Sequence, residues 1–367
     1  MLSKMKVSHS PHISQRMSTR SVMVDVIVSL VPAILAAAIY FRARAVILLL
    51  TCVMACALTE WLCNLVRKIP KPLESLGDFS AVLTGVILAL SLPPRLPIWT
   101  AVIGSAFAIA IGKMVFGGLG ANVFNPAMVG RTFLTASFGA LMTTWTVPAT
   151  FDSAMPNVAI TDSTQVVDAR TAATPLGLAK DAIKERKKSA GLAAENETVA
   201  AEQAMTISRI AAKTVNDQMT YILTGEVAGC LGETSALALI LGGIYLLIRK
   251  AISFHIPAAV LLSAFVFGAV AYAANPETMA NPMTHLLSGG MLMCAFFIAT
   301  DPVTAPLTRR GMWIFGSGVG LLIMLIRVVG EYPEGVMFAI LLMNAVTPLI
   351  DRLCKRVPVG GKPNVQG

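Results

Sequence analysis

Phe79-Ser80-Ala81-Val82-Leu83-Thr84-Gly85-Val86-Ile87-Leu88-Ala89-Leu90-Ser91-Leu92 is an uncharged, mostly apolar run that stops at Pro93-Pro94-Arg95-Leu96-Pro97. Coiled as a helix, its 14 residues rise about 21 Å, short of the roughly 30 Å hydrocarbon core of a bilayer. A second run of the same kind, residues 286–300, is 15 residues long and ends in Pro302-Val303-Thr304-Ala305-Pro306. Two short apolar helices with matching proline-rich ends imply two related halves. Paired interrupted helices also point to a site near the membrane midplane, where broken helices offer free backbone groups.

The surrounding chain puts these runs in lipid. Of 367 residues, 55% are hydrophobic and only 13% charged, and mean hydropathy is +0.71. A soluble globular chain carries about 25% charged residues, so the polar coat that water demands is missing. This composition excludes a secreted enzyme, a DNA-binding protein and a cytosolic dehydrogenase. Ten candidate spans follow, at residues 22–41, 45–66, 79–92, 97–116, 123–145, 233–248, 256–274, 286–300, 313–329 and 335–350. They fall into two groups of five around one long polar segment. Because five is odd, the second group enters the bilayer from the opposite side. The expected fold is therefore an all-α integral membrane protein of about ten transmembrane helices in two inverted five-helix repeats.

Charge sets the orientation. Lys and Arg outnumber Asp and Glu 29 to 20, a net charge of +9, and the basic residues gather in short segments between spans. With the N-terminus inside, the inner segments hold Lys4, Lys6, Arg16, Arg20, Arg67, Lys68, Lys71, Arg249, Lys250, Arg309, Arg310, Arg352, Lys355, Arg356 and Lys362. The short outer loops hold only Arg42, Arg44 and Arg95. By the positive-inside rule both termini are cytoplasmic. The domain plan is a cytoplasmic arm (1–20), a first membrane repeat (21–145), an extracytoplasmic segment (146–231), a second repeat (232–350) and a cytoplasmic tail (351–367). Within the outer segment, Lys184-Glu185-Arg186-Lys187-Lys188 reads as a solvated helix face.

Charges inside a bilayer cost at least about 2.5 kcal/mol each at a helix centre unless paired or hydrated. Asp25, Glu60, Lys113, Arg131, Asp301 and Arg327 lie in or at the edges of the spans. Asp301, Glu60 and Asp25 are the ion-path candidates. Asp301 leads them because it ends a short helix beside Pro302, where loosened carbonyls help coordinate Na⁺ or a proton-carrying water. Structural ion pairing is the competing reading for all of these charges. The six cysteines form no C-x-x-C pair; Cys52, Cys56 and Cys63, at helical spacing in one apolar run, read as buried small hydrophobes rather than cluster ligands. His9, His12, His255 and His285 read as tail or interface residues, so no metal site and no catalytic residue is expected. The glycine-rich Gly117-Gly118-Leu119-Gly120 follows a membrane helix rather than a strand, which argues against direct ATP or NAD binding.

The outer segment contains Asp168-Ala169-Arg170-Thr171-Ala172-Ala173-Thr174-Pro175-Leu176. Here the sequence resembles a known family, the D subunit of the Rnf electron-transport complex and its relative, the B subunit of the sodium-pumping NADH:quinone reductase. That family carries FMN, through its phosphate, on the last threonine of a Ser/Thr-Gly-Ala-Thr motif. Thr171, Ala172, Ala173 and Thr174 match it, with Ala172 where the family commonly has glycine. The resemblance runs along nearly the whole chain: Ser10-Pro11-His12, Phe79 to Gly85, Gly117 to Ala127, Gly232-Glu233-Thr234-Ser235, Ala299 to Thr304, and Tyr332-Pro333-Glu334-Gly335-Val336. Chain length and the short polar N-terminus favour the Rnf protein over its relative.

The resemblance implies a covalent FMN on Thr174, attached by a separate flavin transferase, with Thr171 in the same motif; Arg170, four residues earlier, is the candidate partner for the phosphate, a solvated loop arginine being the competing reading. It also implies a non-covalent riboflavin between helices. The partners it implies are the other Rnf subunits and the lipid bilayer of a bacterial or archaeal inner membrane, with no nucleic acid. The function implied is electron transfer between ferredoxin and NAD⁺ coupled to Na⁺ or H⁺ transport. A phosphodiester is charged, so Thr174 is expected to face water on the outer side. The inverted repeat alone also suits a self-sufficient transporter or channel for a small solute, since fold is shared more widely than function; bound flavin separates the two.

Overall fold

The computed structural model describes residues 18–146, 148, 174–194, 198–217, 219–225, 227–330, 332 and 334–354. Among them, regular structure is helical. The first half holds α1 (Thr19–Phe41), α2 (Ala43–Val66), α3 (Ser80–Leu90), α4 (Ile98–Ile109, running on into a π turn over Ala110–Met114), α5 (Pro126–Ser137) and the single turn α6 (Gly139–Met142). Next come α7 (Pro175–Ala194), α8 (Thr198–Asp217) and the short α9 (Met219–Thr224). The second half holds α10 (Ala236–Ile248), α11 (His255–Ala274), α12 (Pro282–Leu287), α13 (Met291–Met293, running into a π turn over Cys294–Ile298), α14 (Arg309–Val328) and α15 (Val336–Leu353).

Five of these, α1, α2, α11, α14 and α15, are long and apolar enough to cross a bilayer, and three shorter apolar helices cover Ser80–Leu90, Ile98–Met114 and Ala236–Ile248. The chain is a multi-pass membrane protein. On α1 the side chains of Val24, Val28, Val31, Leu35 and Ile39 are exposed at steps of three and four, while Leu30, Ala33, Ala37 and Phe41 on the other face are buried. A helix apolar on both faces belongs between protein and lipid.

The two short runs of the sequence behave differently. Within residues 79–92, Ser80–Leu90 form α3, buried around most of its girth. Its last carbonyls find partners in a distant loop: Leu90 O accepts from Gly232 N at 2.7 Å and Leu92 O from Leu231 N at 3.1 Å. These contacts let a helix stop short without leaving backbone acceptors bare. The run 286–300 is not one helix. It breaks at Ser288-Gly289-Gly290, Gly289 having φ +66°, and resumes as α13 and its π turn. The expected fifth span also shortens, because Asn125 caps and Pro126 starts α5 only after residue 125, and Phe138 interrupts it. Asn281 and Pro282 start α12 in the same way.

Packing repeats between the halves. α2 lies against α4 as α11 lies against α14, α4 against α5 as α14 against α15, and α1 pairs with α10 as α5 pairs with α15. The α1–α10 contact depends on Gly242, where a Cβ would strike the Ser29 carbonyl oxygen. Outside this body, α7 and α8 form a helical hairpin. Its two arms are joined by Ser208 Oγ donating to Ala182 O at 2.6 Å, and it is tied to the body by Asn216 Oδ1, which accepts from Asn281 N at 2.8 Å. Lys184, Lys187 and Lys188 are exposed on α7, with Glu185 and Arg186 half-buried.

Candidate functional site

Thr174 is the residue that caps α7. Its Oγ1 accepts from Gly177 N at 2.9 Å and its carbonyl from Leu178 N at 2.9 Å. It is 7% exposed, which corrects the expectation of a threonine facing open water. The cause is local: with α7 starting at Pro175, Thr174 and Leu176 fold back into a pocket bordered by Trp145, Val227, Ala228, Ser288 and Gly289. Helix N-termini attract anions through free N–H groups and the helix dipole, so a phosphoester at Thr174 Oγ1 suits this position, with the indole of Trp145 and the apolar edge of the pocket beside it. Arg170, Thr171, Ala172 and Ala173 lie outside the described residues.

The same pocket is lined by two acids to which the sequence reading gave no role, Glu233 and Glu334. Arg131 of α5 meets both: its guanidinium pairs directly with Glu334 Oε2 and lies 3.7 Å from Glu233 Oε1. Gly290 N donates to Glu334 Oε1 at 3.1 Å. Cys230 lies against them, its N donating to Glu233 Oε2 at 3.5 Å and its Sγ accepting from Arg131 Nη2 at 3.5 Å. Arg327 of α14 is also buried, and donates to the carbonyls of His285 at 2.5 Å and Ser288 at 3.1 Å. Residues from both halves therefore meet here. The available signal was an acid flanked by glycine or proline at the edge of an apolar run, in Gly232-Glu233 and Pro333-Glu334.

Asp301 borders a second cavity between the halves, with Ser80, Thr84, Asn122, Asn125, Pro126 and Phe297 among its lining. Its carboxylate closes its own turn, accepting from Val303 N and Thr304 Oγ1, both at 3.2 Å. Asn122 Oδ1 in this lining is buried and has no hydrogen-bond partner among the described residues. The other two ion-path candidates are not brought to Asp301's carboxylate. Asp25 accepts from Arg249 Nη2 at 3.1 Å and from Tyr245 OH at 3.4 Å, joining α1 to α10. Glu60 accepts from Lys113 Nζ at 2.7 Å, both fully interior. Lys113 also donates to Ser80 Oγ at 2.6 Å. Cys52 and Cys56 are buried in the packing of α2.

Broken helices and ion pairs in the interior of an all-helical membrane body define a polytopic membrane protein. The chain belongs to the NQR2, RnfD, RnfE family, whose model matches residues 6–360. It is similar to the D subunit of the Na(+)-translocating ferredoxin:NAD(+) oxidoreductase complex of Acetobacterium woodii, 39% identical over 95% of this chain and 93% of that one. It is 38% identical to the D subunit of the ion-translocating oxidoreductase complex of Yersinia enterocolitica, over 95% of this chain and 96% of that one. The corresponding protein of Stutzerimonas stutzeri matches at the same identity and coverage.

Proposed function

We propose that this chain is the D subunit of an ion-translocating ferredoxin:NAD⁺ oxidoreductase complex in a bacterial membrane, and that it carries FMN as a phosphoester on Thr174. Family membership supports the first part. The observation that carries the second is Thr174 at the N-terminus of a 20-residue helix, opening on a pocket with Trp145. A flavin transferase attaches the group, and the other members of the complex supply and remove its electrons. The flavin supplies the redox chemistry; this chain positions it and excludes water. For the non-covalent riboflavin the cavity beside Asp301 is the candidate position, since Asn122 Oδ1, without a partner among the described residues, offers an acceptor to a ring N–H.

The membrane body is ten spans in two inverted repeats of five, residues 21–145 and 232–350, with α3, α5, α10 and α12–α13 as incomplete crossings. The mirrored helix pairings support this arrangement. Both termini face the cytoplasm, and residues 146–231 face outward with the flavin. Asp301 leads the ion path. A self-sufficient solute transporter remains the second reading, and covalent flavin is what separates it from the first.

The test is the denatured protein co-expressed with a flavin transferase. A fluorescent band, with an FMN-sized mass addition on the tryptic peptide bearing Thr174, is the expected result. A bare peptide, or an addition that survives Thr174→Val, overturns the assignment.

A further inference from the structure

The hydroxyl that would carry FMN is closed off in this structure. Thr174 is 7% exposed, and its Oγ1 is engaged with Gly177 N at 2.9 Å as the cap of α7. The pocket around it has room for little more than a water molecule. A transferase needs a base within hydrogen-bond reach of that oxygen and a flavin phosphate against it, and a water-sized space admits neither. What closes the site is the seating of α7 on the membrane body. Leu176 lies against Gly289, where a Cβ would strike its Cδ1. Lys180 Nζ donates to the carbonyls of Arg327, at 3.2 Å, and of Gly330, at the end of α14. The second arm is clipped by Asn216 Oδ1, accepting from Asn281 N at 2.8 Å, and by an exposed Arg209–Glu277 pair at 2.7 Å. The apolar contact behind these clips is small: Ala179, Val215 and Ala280 form a buried cluster apart from the main core. Within the hairpin the arms hold each other, Ser189 Oγ donating to Ala201 O at 2.7 Å and Ser208 Oγ to Ala182 O at 2.6 Å. A unit held to its neighbours by few apolar contacts opens as one piece well before the whole molecule unfolds.

We propose that the transferase modifies Thr174 only while the α7–α8 hairpin is lifted off the membrane body, so that docking of the hairpin decides when the chain accepts its flavin. This rests on the reading of Thr174 given above and adds the regulation of that site. In the lifted form Thr174 and Leu176 leave Val227, Ala228 and Gly289, which border them when docked, and the hydroxyl opens to solvent. The Thr174 O–H proton passes to a base of the transferase, and Oγ1 forms a bond to the flavin-side phosphorus of FAD. The P–O–P anhydride bond breaks, and its electron pair leaves on the phosphate of AMP. Nothing is oxidised or reduced. In the product a phosphate oxygen replaces Oγ1 as acceptor for the free N–H groups of α7, so the cap survives modification.

The test locks the hairpin. Full-length protein made without the transferase and carrying Asn216→Cys with Asn281→Cys is oxidised, which joins α8 to the start of α12. It is then given purified transferase and FAD, and flavin uptake is read as fluorescence on denaturing gels. The oxidised form should take up none, and the same sample after reduction should take it up. Equal uptake in the two, at any level, overturns the proposal. Lys180→Met, which frees α7 from the end of α14, gives a second reading and serves alone where the disulfide does not form. As folded, monodisperse protein it should take up flavin about tenfold faster than the wild type, the shift expected from losing one hydrogen bond to a charged group. Lys180→Arg should stay near the wild-type rate. Uptake by Lys180→Met at or below the wild-type rate overturns the proposal. Wild-type chain co-expressed with the transferase separates the failures: no flavin on it sinks both readings, whereas flavin on it, with locked and unlocked forms alike, sinks this one alone.

Discussion

Lys113 on α4 sets its ammonium 2.7 Å from the Glu60 carboxylate of α2, and both side chains are 2% exposed. The lysine sits in the π turn that ends α4, and a π turn re-aims side chains by widening the helix. Removing one partner from a buried ion pair leaves an uncompensated charge and costs about 3–5 kcal/mol, whereas replacing both by apolar residues of similar volume is close to neutral. Lys113→Met and Glu60→Leu alone should each lower thermal stability in detergent sharply. The double variant should recover most of the loss, and a double variant no better than the worse single would refute the pairing.

The contact of α1 with α10 rests on a missing side chain. A Cβ at Gly242 would collide with the Ser29 carbonyl and lie 3.0 Å from Phe297 Cζ. Gly242→Val should therefore reduce the yield of folded, monodisperse protein. Gly191, on the exposed face of α7 with nothing within 4 Å of its Cβ position, is the control. Gly191→Ala should raise stability by about 0.5–1 kcal/mol, the helical cost of glycine relative to alanine.

Asn344 ties the halves together. Its Oδ1 accepts from Asn125 N at 3.2 Å and its Nδ2 donates to Thr304 O at 3.3 Å, the side chain being 1% exposed. Asn344→Leu strands the buried N–H of Asn125, at about 1–3 kcal/mol, and leaves Thr304 O with Thr347 Oγ1 alone, at 3.2 Å. A melting temperature equal to that of the wild type would show that these groups find other partners.

Thr174→Ser keeps both the hydroxyl and the helix cap, so flavin fluorescence in denaturing gels should persist, while Thr174→Val abolishes it. Loss of flavin in the serine variant would show that the methyl group matters to the transferase.

Asp301 anchors its own turn through Val303 N and Thr304 Oγ1. Asp301→Asn retains an acceptor for the turn, so flavin attachment should be unaffected. Ion transport by the reconstituted complex should fall to background; transport at the wild-type rate removes Asp301 from the ion path.

The apolar runs were legible because hydropathy acts residue by residue, and the boundaries of α1, α2, α11, α14 and α15 lie within a few residues of those read from the sequence. The break in the run 286–300 was not, although Ser288-Gly289-Gly290 stands in plain view, because glycine in an apolar stretch is compatible with a continuous helix until packing opens it. Thr174 was singled out by its motif, yet its burial depends on Val227, Ala228 and Gly289, residues far along the chain. Glu233 and Glu334 stood in quoted motifs without a role, since nothing local shows that Arg131 lies between them.

From its sequence alone this chain is committed to a membrane, to many crossings and to short apolar runs ended by proline, and its Thr171-to-Thr174 stretch resembles a flavin-bearing motif. Those properties follow from local composition and motif, which need no knowledge of neighbours. Only the tertiary structure decides which charges meet. Glu60 finds Lys113 across 53 positions and Arg131 finds Glu334 across 203, and both meetings depend on how helices cross. In a low-dielectric interior the energy of a charge is set by the few ångströms around it.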